Sequence, residues 1–177
     1  MVFDCSTIYR GHSLNNELIQ GPILTNQLVD VLLRFRMHNV PIKADIEAMF
    51  YQVRIPEEQR SFLRFLWWED GDTSTRPLEY EMYVHIFGAI SSPSCANYAL
   101  KKTAEENRER FGDAVADTIL RDFYVDDMLK STDDDDSATS VLLGVQGSCS
   151  EGGFNLTKVV SNSLKVINST SINVLLL

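Results

Sequence analysis

The sequence predicts an α+β fold, with an antiparallel or mixed sheet and helices on one of its faces. Two observations lead there. Strand-like and helix-like apolar periodicities follow one another in the order β-α-β-β-β-α-β-β-α-β, which suits a sheet backed by helices. Hydrophobic residues make up 44% of the 177 and aromatics 10%, enough to pack a core and too many for a disordered chain. The length suits one domain of ordinary size or a piece of a larger one. No repeat or long linker divides it.

VFDCS (2–6) reads as a short strand and RGHSLNNELIQGP as a loop. Leu24, Leu28, Val31, Leu32 and Phe35 recur at helical spacing, predicting an amphipathic helix over 24–37 that Asn39 and Pro41 close. VPIKADI (40–46) is a strand leading into EAMFYQV, and PEEQR (56–60) a helical turn. SFLRFLWW (61–68) is apolar on both faces and predicts a strand covered on both sides. EDGDTSTRP contains an Asp-Gly turn, and LEYEMYV returns as the hairpin partner. Ser92 before Pro93 fits an N-cap with proline in the first helical position, opening a helix from 93 to about 109. TILRDFYV and MLKS predict two strands flanking a pair of aspartates. Ala138, Val141, Leu142, Val145 and Cys149 mark a helix to about 150, although Gly144 and Gly147 inside it each cost about 1 kcal/mol relative to Ala. GFNLTKVV (153–160) is the last strand.

The net charge of −9 is uneven. Residues 105–136 carry twelve acidic and four basic side chains, so the remainder is close to neutral. An acidic chain argues against a broad nucleic-acid-binding face, because such faces are basic. Cys5, Cys95 and Cys149 are far apart and lack zinc spacing, and His12, His38 and His85 are isolated. The N-terminal segment lacks a signal-peptide profile and no apolar run is long enough for a bilayer, so the expectation is an intracellular protein, with no membrane partner and not secreted. The sequons at Asn155 and Asn168 carry no weight in that setting.

Chemistry concentrates in two acidic sites: Asp45 at the end of KADI, and Asp126–Asp127 in FYVDDMLKS. Two carboxylates about 4 Å apart repel by roughly 1 kcal/mol in water and roughly 4 kcal/mol at an effective dielectric near 20. Three of them on one sheet edge would protonate or require cations, and magnesium, a hard ion suited to oxygen ligands and phosphates, matches. Taken alone, Asp126–Asp127 reads as a hairpin turn before it reads as a cation site, since aspartate is a common turn residue. The run Asp133–Asp136 fits a helix start.

Read together, ADIEAMFYQVRIP, YVHIFGAISSPSCANYAL, FYVDDMLKS and GFNLTKVVSNS resemble the consecutive motifs of a reverse transcriptase, closest to Pao/BEL-type LTR retrotransposons. The resemblance runs from VFDCS to about residue 163 and implies a polymerase palm: a ferredoxin- or RRM-like antiparallel sheet with helices on one face, with partial fingers and no thumb. It implies a division into a partial fingers or entry segment (1–39), a palm (40–163) and a divergent C-terminal tail (164–177). Asp45 and Asp126 match the aspartates that bridge two magnesium ions, with Mn2+ as a substitute. Asp127 matches the less central second aspartate of the YxDD box. Lys158 matches the lysine assigned to protonate the pyrophosphate leaving group. On the nucleotide side the resemblance places Ile46, Phe50, Phe87, Gly88, Ser92 and Pro93. Phe50 stands where the family has an aromatic that blocks a ribose 2′-hydroxyl, which equally fits core packing from the residue alone.

The implied reaction is attack of a primer 3′-hydroxyl on the α-phosphate of a dNTP, directed by an RNA or DNA template. The implied partners are primer-template, dNTPs and the rest of a polyprotein comprising fingers, thumb, RNase H and integrase. The implied location is a cytoplasmic retroelement particle or the nucleus. Phe87 departs from the glutamine of retroviral enzymes, and neither the upstream basic fingers residues nor a thumb is recognisable in this sequence. The alternative expectation is an inactive or co-opted retrotransposon remnant that only binds or builds structure.

Overall fold

The structure, a computed structural model, describes residues 3–171 and 174–176. In chain order its elements are α1 (Leu14–Glu17), α2 (Leu28–Phe35), β1 (Val40–Ile46), α3 (Glu57–Arg60), β2 (Arg64–Trp67), β3 (Leu78–Glu81), α4 (Ser92–Glu106), α5 (Arg108–Phe111), α6 (Asp113–Arg121), β4 (Phe123–Tyr124), β5 (Asp127–Thr132), α7 (Asp135–Glu151), β6 (Leu156–Ser161), α8 (Leu164–Asn168) and β7 (Val174–Leu176). The chain forms two compact units, one from Met1–Gly21 with Phe50–Ser92 and one from Pro22–Met49 with Pro93–Leu177.

The second unit is built on a sheet of order β4-β5-β1-β6-β7, in which the first four strands are antiparallel and β7 joins β6 in parallel. Strand β1 follows the sequence reading residue for residue. Its burial alternates, with Val40, Ile42, Ala44 and Ile46 buried and Lys43 exposed between them, as the period of two requires when one face is packed. Helix α7 packs against that sheet, and its buried stripe is Ala138, Leu142, Val145 and Cys149. Asp134 caps it by accepting from the Ser137 amide at 2.8 Å, so the acidic run is the expected helix start. The two glycines inside α7 have a packing reason. A Cβ on Gly144 would stand 2.4 Å from Val115 Cγ2, and one on Gly147 2.6 Å from Phe111 Cε1, so they let α5 and α6 lie close.

Two expectations change in this unit. TILR is not strand but the last turn of α6, because DAVADTILR buries Val115, Ala116, Thr118 and Ile119 at helical spacing. The strand is reduced to Phe123–Tyr124. The C-terminal segment contributes α8, capped by the Ser163 hydroxyl, and the parallel strand β7. Helix α2 is shorter than predicted, Leu28–Phe35, and buries Val31 completely. Its Arg34 reaches Asp122, which is 3% exposed, through Nε at 2.7 Å, and Lys130 from β5 reaches the other carboxylate oxygen at 2.9 Å.

In the first unit, residues 3–6 of the expected strand form a turn, and Val2 lies outside the described residues. The Asp4 carboxylate accepts from the Ser6 amide at 3.2 Å and from the Ser6 and Thr7 hydroxyls at 2.6 Å each. That local alternative outcompetes a ladder. The expected loop after it contains α1, capped by Ser13. The hairpin β2–β3 forms as predicted, but it is not covered on both sides. Leu66 is 63% and Trp67 48% exposed, and Arg64 pairs with Glu79 at 2.8 Å on one face. A run apolar on both faces was a sound sign of a strand but not of two covering layers. Cys5, Ile55, Leu63, Ile86 and Ala89 form this unit's core.

Gly88 is fixed by two constraints at once. Its φ is +97°, and a Cβ there would meet the Phe3 carbonyl oxygen at 2.4 Å. Gly88→Ala is expected to destabilise the first unit by about 2 kcal/mol or more, read as a lower melting temperature in differential scanning calorimetry.

Candidate active site

Strand β1 ends at the centre of the sheet, and its alternation puts Lys43 and Asp45 on the face opposite the core residues. Asp45 pairs directly with Asp127 across the β1–β5 ladder. Directly opposed side chains in such a ladder have Cβ atoms about 4.5–5.5 Å apart, so the two acidic sites lie beside each other in the sheet. The Tyr124–Asp127 pairing leaves Val125 and Asp126 as a two-residue hairpin loop. Val125 has φ 56°, the pattern of a type II′ turn whose first residue is usually glycine. A β-branched residue there is strained by about 1–3 kcal/mol. The Ile46 amide donates to the Asp126 carbonyl at 2.9 Å and ties this turn to the end of β1. The loop is thus both a turn and a carboxylate platform.

Lys158 is brought in by an irregularity. The β1–β6 ladder runs from Lys43–Val160 to Asp45–Thr157, so β6 carries one residue more than β1 between those pairs. Lys158 sits in that bulge with φ 52°. Bulges re-aim side chains, and its Nζ donates to Asp45 Oδ1 at 3.1 Å. Asn155, just before β6, binds Glu47 from its side-chain amide at 2.7 Å and accepts the Glu47 amide at 2.9 Å. Among the described residues five non-glycine residues have positive φ, and Ala48, Val125 and Lys158 are the three near this site. Backbone strain gathers where geometry is over-determined for function.

The sequence reading missed Lys43. Its Nζ lies 3.2 Å from Asp127 Oδ1, so two ammonium groups hold two of the three carboxylates. The signal was present in KAD, since residues i and i+2 of a strand share a face. Among the described residues no lysine or arginine lies at ion-pair distance from Asp126. Burial pushes its carboxyl above the ordinary aspartate range, and Asp127 and Asp45 raise it further, against lowering by its own backbone amide and by Lys158. An acid whose pKa is raised by folding contributes stability below its unfolded pKa, and that contribution is lost as pH rises through the folded value. Asp126→Asn is therefore expected to melt above wild type at neutral pH, with the gap closing as pH falls into the ordinary aspartate range, measured by thermal melts across pH.

Among the described residues, no three His, Cys, Asp or Glu side chains already converge as a metal cage. The donor set nonetheless fits magnesium, which is commonly held by one or two carboxylates plus substrate phosphates. Asp45 and its ladder partner Asp127 supply such a pair, with Asp126 adjacent.

The remaining expected residues are placed as follows. Ile46 is wholly buried and has given its amide to the turn, so it positions Asp126 and presents no side chain at the surface. In the first unit Phe50 is 8% exposed and packs on Phe87 with ring centroids 4.7 Å apart, and Tyr51 meets the same ring edge-on at 5.6 Å. Gly88 is exposed, and Asn15 clasps its segment, donating to the Gly88 carbonyl at 3.0 Å and accepting from the Ile90 amide at 2.9 Å. Asn15 was not legible as part of that loop. Ser92 is fully buried, its hydroxyl 3.4 Å from His85 Nδ1, and offers nothing to a ligand as placed. Pro93 is exposed at the start of α4.

The chain superposes on a foamy viral protease-reverse transcriptase in complex with double-stranded DNA with a TM-score of 0.64 at 15% identity, over 88% of this chain and 23% of that one. The fold is reverse transcriptase-like. A Prototype Foamy Virus protease-reverse transcriptase mutant gives a TM-score of 0.59 at 19% identity, over 84% of this chain and 17% of that one. The chain thus spans less than a quarter of either viral protein. No protein-family model and no curated protein matches it. Among the described residues, no helix is long and apolar enough to cross a membrane.

Proposed function

We propose that the chain is the palm of an RNA-directed DNA polymerase, which transfers deoxynucleotides from dNTPs to a primer 3′-hydroxyl using two magnesium ions. One observation carries this reading. Asp45 and Asp127 oppose each other in register, with Asp126 held beside them by a strained turn and Lys158 turned toward them by a bulge. The palm corresponds to 40–163, and its work requires primer-template and the other parts of a longer polyprotein of Pao/BEL type.

Divalent cations at Asp45, Asp126 and Asp127 would supply charge stabilisation for an in-line displacement. The chain's own residues do the rest. Asp126 is kept partly desolvated, which favours its pairing with a cation over water. Lys158, which donates to Asp45 at 3.1 Å, would hand a proton to the leaving pyrophosphate. Phe50 and Phe87 form an aromatic pair that would exclude a 2′-hydroxyl if the sugar packs against it. The test is primer extension with the chain or a longer protein containing it. Incorporation that requires magnesium and is absent in Asp126→Asn supports the proposal. Inactivity on every primer-template overturns it. The second reading, a domain that binds without catalysis, draws on the two lysine-held carboxylates.

A further inference from the structure

Lys43 has no part in the reaction above, yet it is one of two cations already inside the carboxylate cluster. The cluster's three aspartates are opposed or adjacent, a placement that like charges resist. Lys43 holds Asp127 at 3.2 Å from β1, the strand that also carries Asp45, and Lys158 holds Asp45 at 3.1 Å from the neighbouring strand β6. Each lysine is placed by backbone geometry rather than by chance of a long side chain. Lys43 shares the face of Asp45 through strand alternation, and Lys158 is turned in by the β6 bulge.

We propose that Lys43 and Lys158 are exchangeable counter-ions: each occupies an aspartate that a divalent cation needs, so the free protein holds such cations weakly until polyphosphate arrives with them. The inference rests on the metal-dependent reading given under Proposed function and deepens it. The charges explain the exchange. With both lysines paired, three carboxylates retain a single uncompensated negative charge, at Asp126. One divalent cation entering alone overcompensates it. Two divalent cations entering with a fully ionised nucleoside triphosphate leave the net charge unchanged, and the displaced ammonium groups then have phosphate oxygens to meet. Asp127 is 38% and Lys43 47% exposed, so the pairs are open enough to part.

The experiment is titration of the free protein with Mn2+ alone, followed by electron paramagnetic resonance. Lys43→Met and Lys158→Met, which keep an apolar stem, are each expected to bind Mn2+ about three- to tenfold more tightly than wild type, the scale of removing one nearby positive charge at a half-exposed site. Lys43→Arg keeps the charge and should stay near wild type. In an Asp127→Asn background Lys43→Met should change nothing, because its partner is gone. Equal Mn2+ affinity in wild type and both methionine variants overturns the inference and leaves the metal site standing. No Mn2+ bound by wild type or by either variant overturns both the inference and the reading it rests on.

Discussion

Under the proposed function, Asp45→Asn and Asp126→Asn are each expected to reduce magnesium-dependent primer extension by at least about a thousandfold, since cations would supply several kcal/mol of transition-state stabilisation and about 1.4 kcal/mol is tenfold in rate. The two substitutions act at one place from different elements. Asp45 is the last outward residue of the central strand, and Asp126 the second residue of the strained hairpin loop. The loss in Asp126→Asn is not expected to arise from unfolding. Asp126 is disfavoured as an anion by burial and by its two carboxylate neighbours, so the neutral amide relieves the folded state. A gain in melting temperature together with a loss of activity distinguishes a cation site from a structural carboxylate. A structural one would lose both.

Asp122→Ala produces the opposite pattern, a large loss of stability. Asp122 closes the junction between α6 and β4, four residues before Asp126. Its carboxylate is 4% exposed and holds Arg34 at 2.7 Å and Lys130 at 2.9 Å, each of them only 28% exposed. Its carbonyl accepts the Leu129 amide at 2.8 Å, and Arg34 also donates to the Arg121 carbonyl. Removing the carboxylate leaves two largely buried cations facing each other. That costs about 3–5 kcal/mol, or about 6–20 °C in melting temperature for a chain of this size. Asp122→Asn, which keeps one acceptor, should lose less. Because Lys130 lies on β5 and Arg34 on α2, the cluster fixes the hairpin that carries Asp126 and Asp127, and activity should fall in step with stability.

Strand β1, the hairpin around Asp126–Asp127 and helix α7 were legible because each has a clean period and an unambiguous terminator. The helix ending in TILR was not. Isoleucine and leucine suit strands, and only the longer window from Asp113 reveals the stripe of Val115, Ala116 and Ile119. Residues 3–6 of the expected strand gave way to a turn because Asp4 bonds its own backbone neighbourhood, a preference that strand propensity does not register. In the site, the three aspartates and Lys158 could be named from their motifs, and the bulge that aims Lys158 could not. Bulges depend on the register between two strands, which a single sequence does not state. Lys43 was within reach, two residues from Asp45 on the same face, but lysine on an exposed face is ordinary until its partner across the ladder is known.

The central claim is that Asp45, Asp126 and Asp127 jointly hold divalent cations. Mn2+ binding followed by electron paramagnetic resonance, in wild type and in the Asp45→Asn/Asp126→Asn double variant, tests it most directly. The predicted result is saturable binding in the millimolar range by wild type that the double variant loses. Equal binding by the two proteins would contradict it.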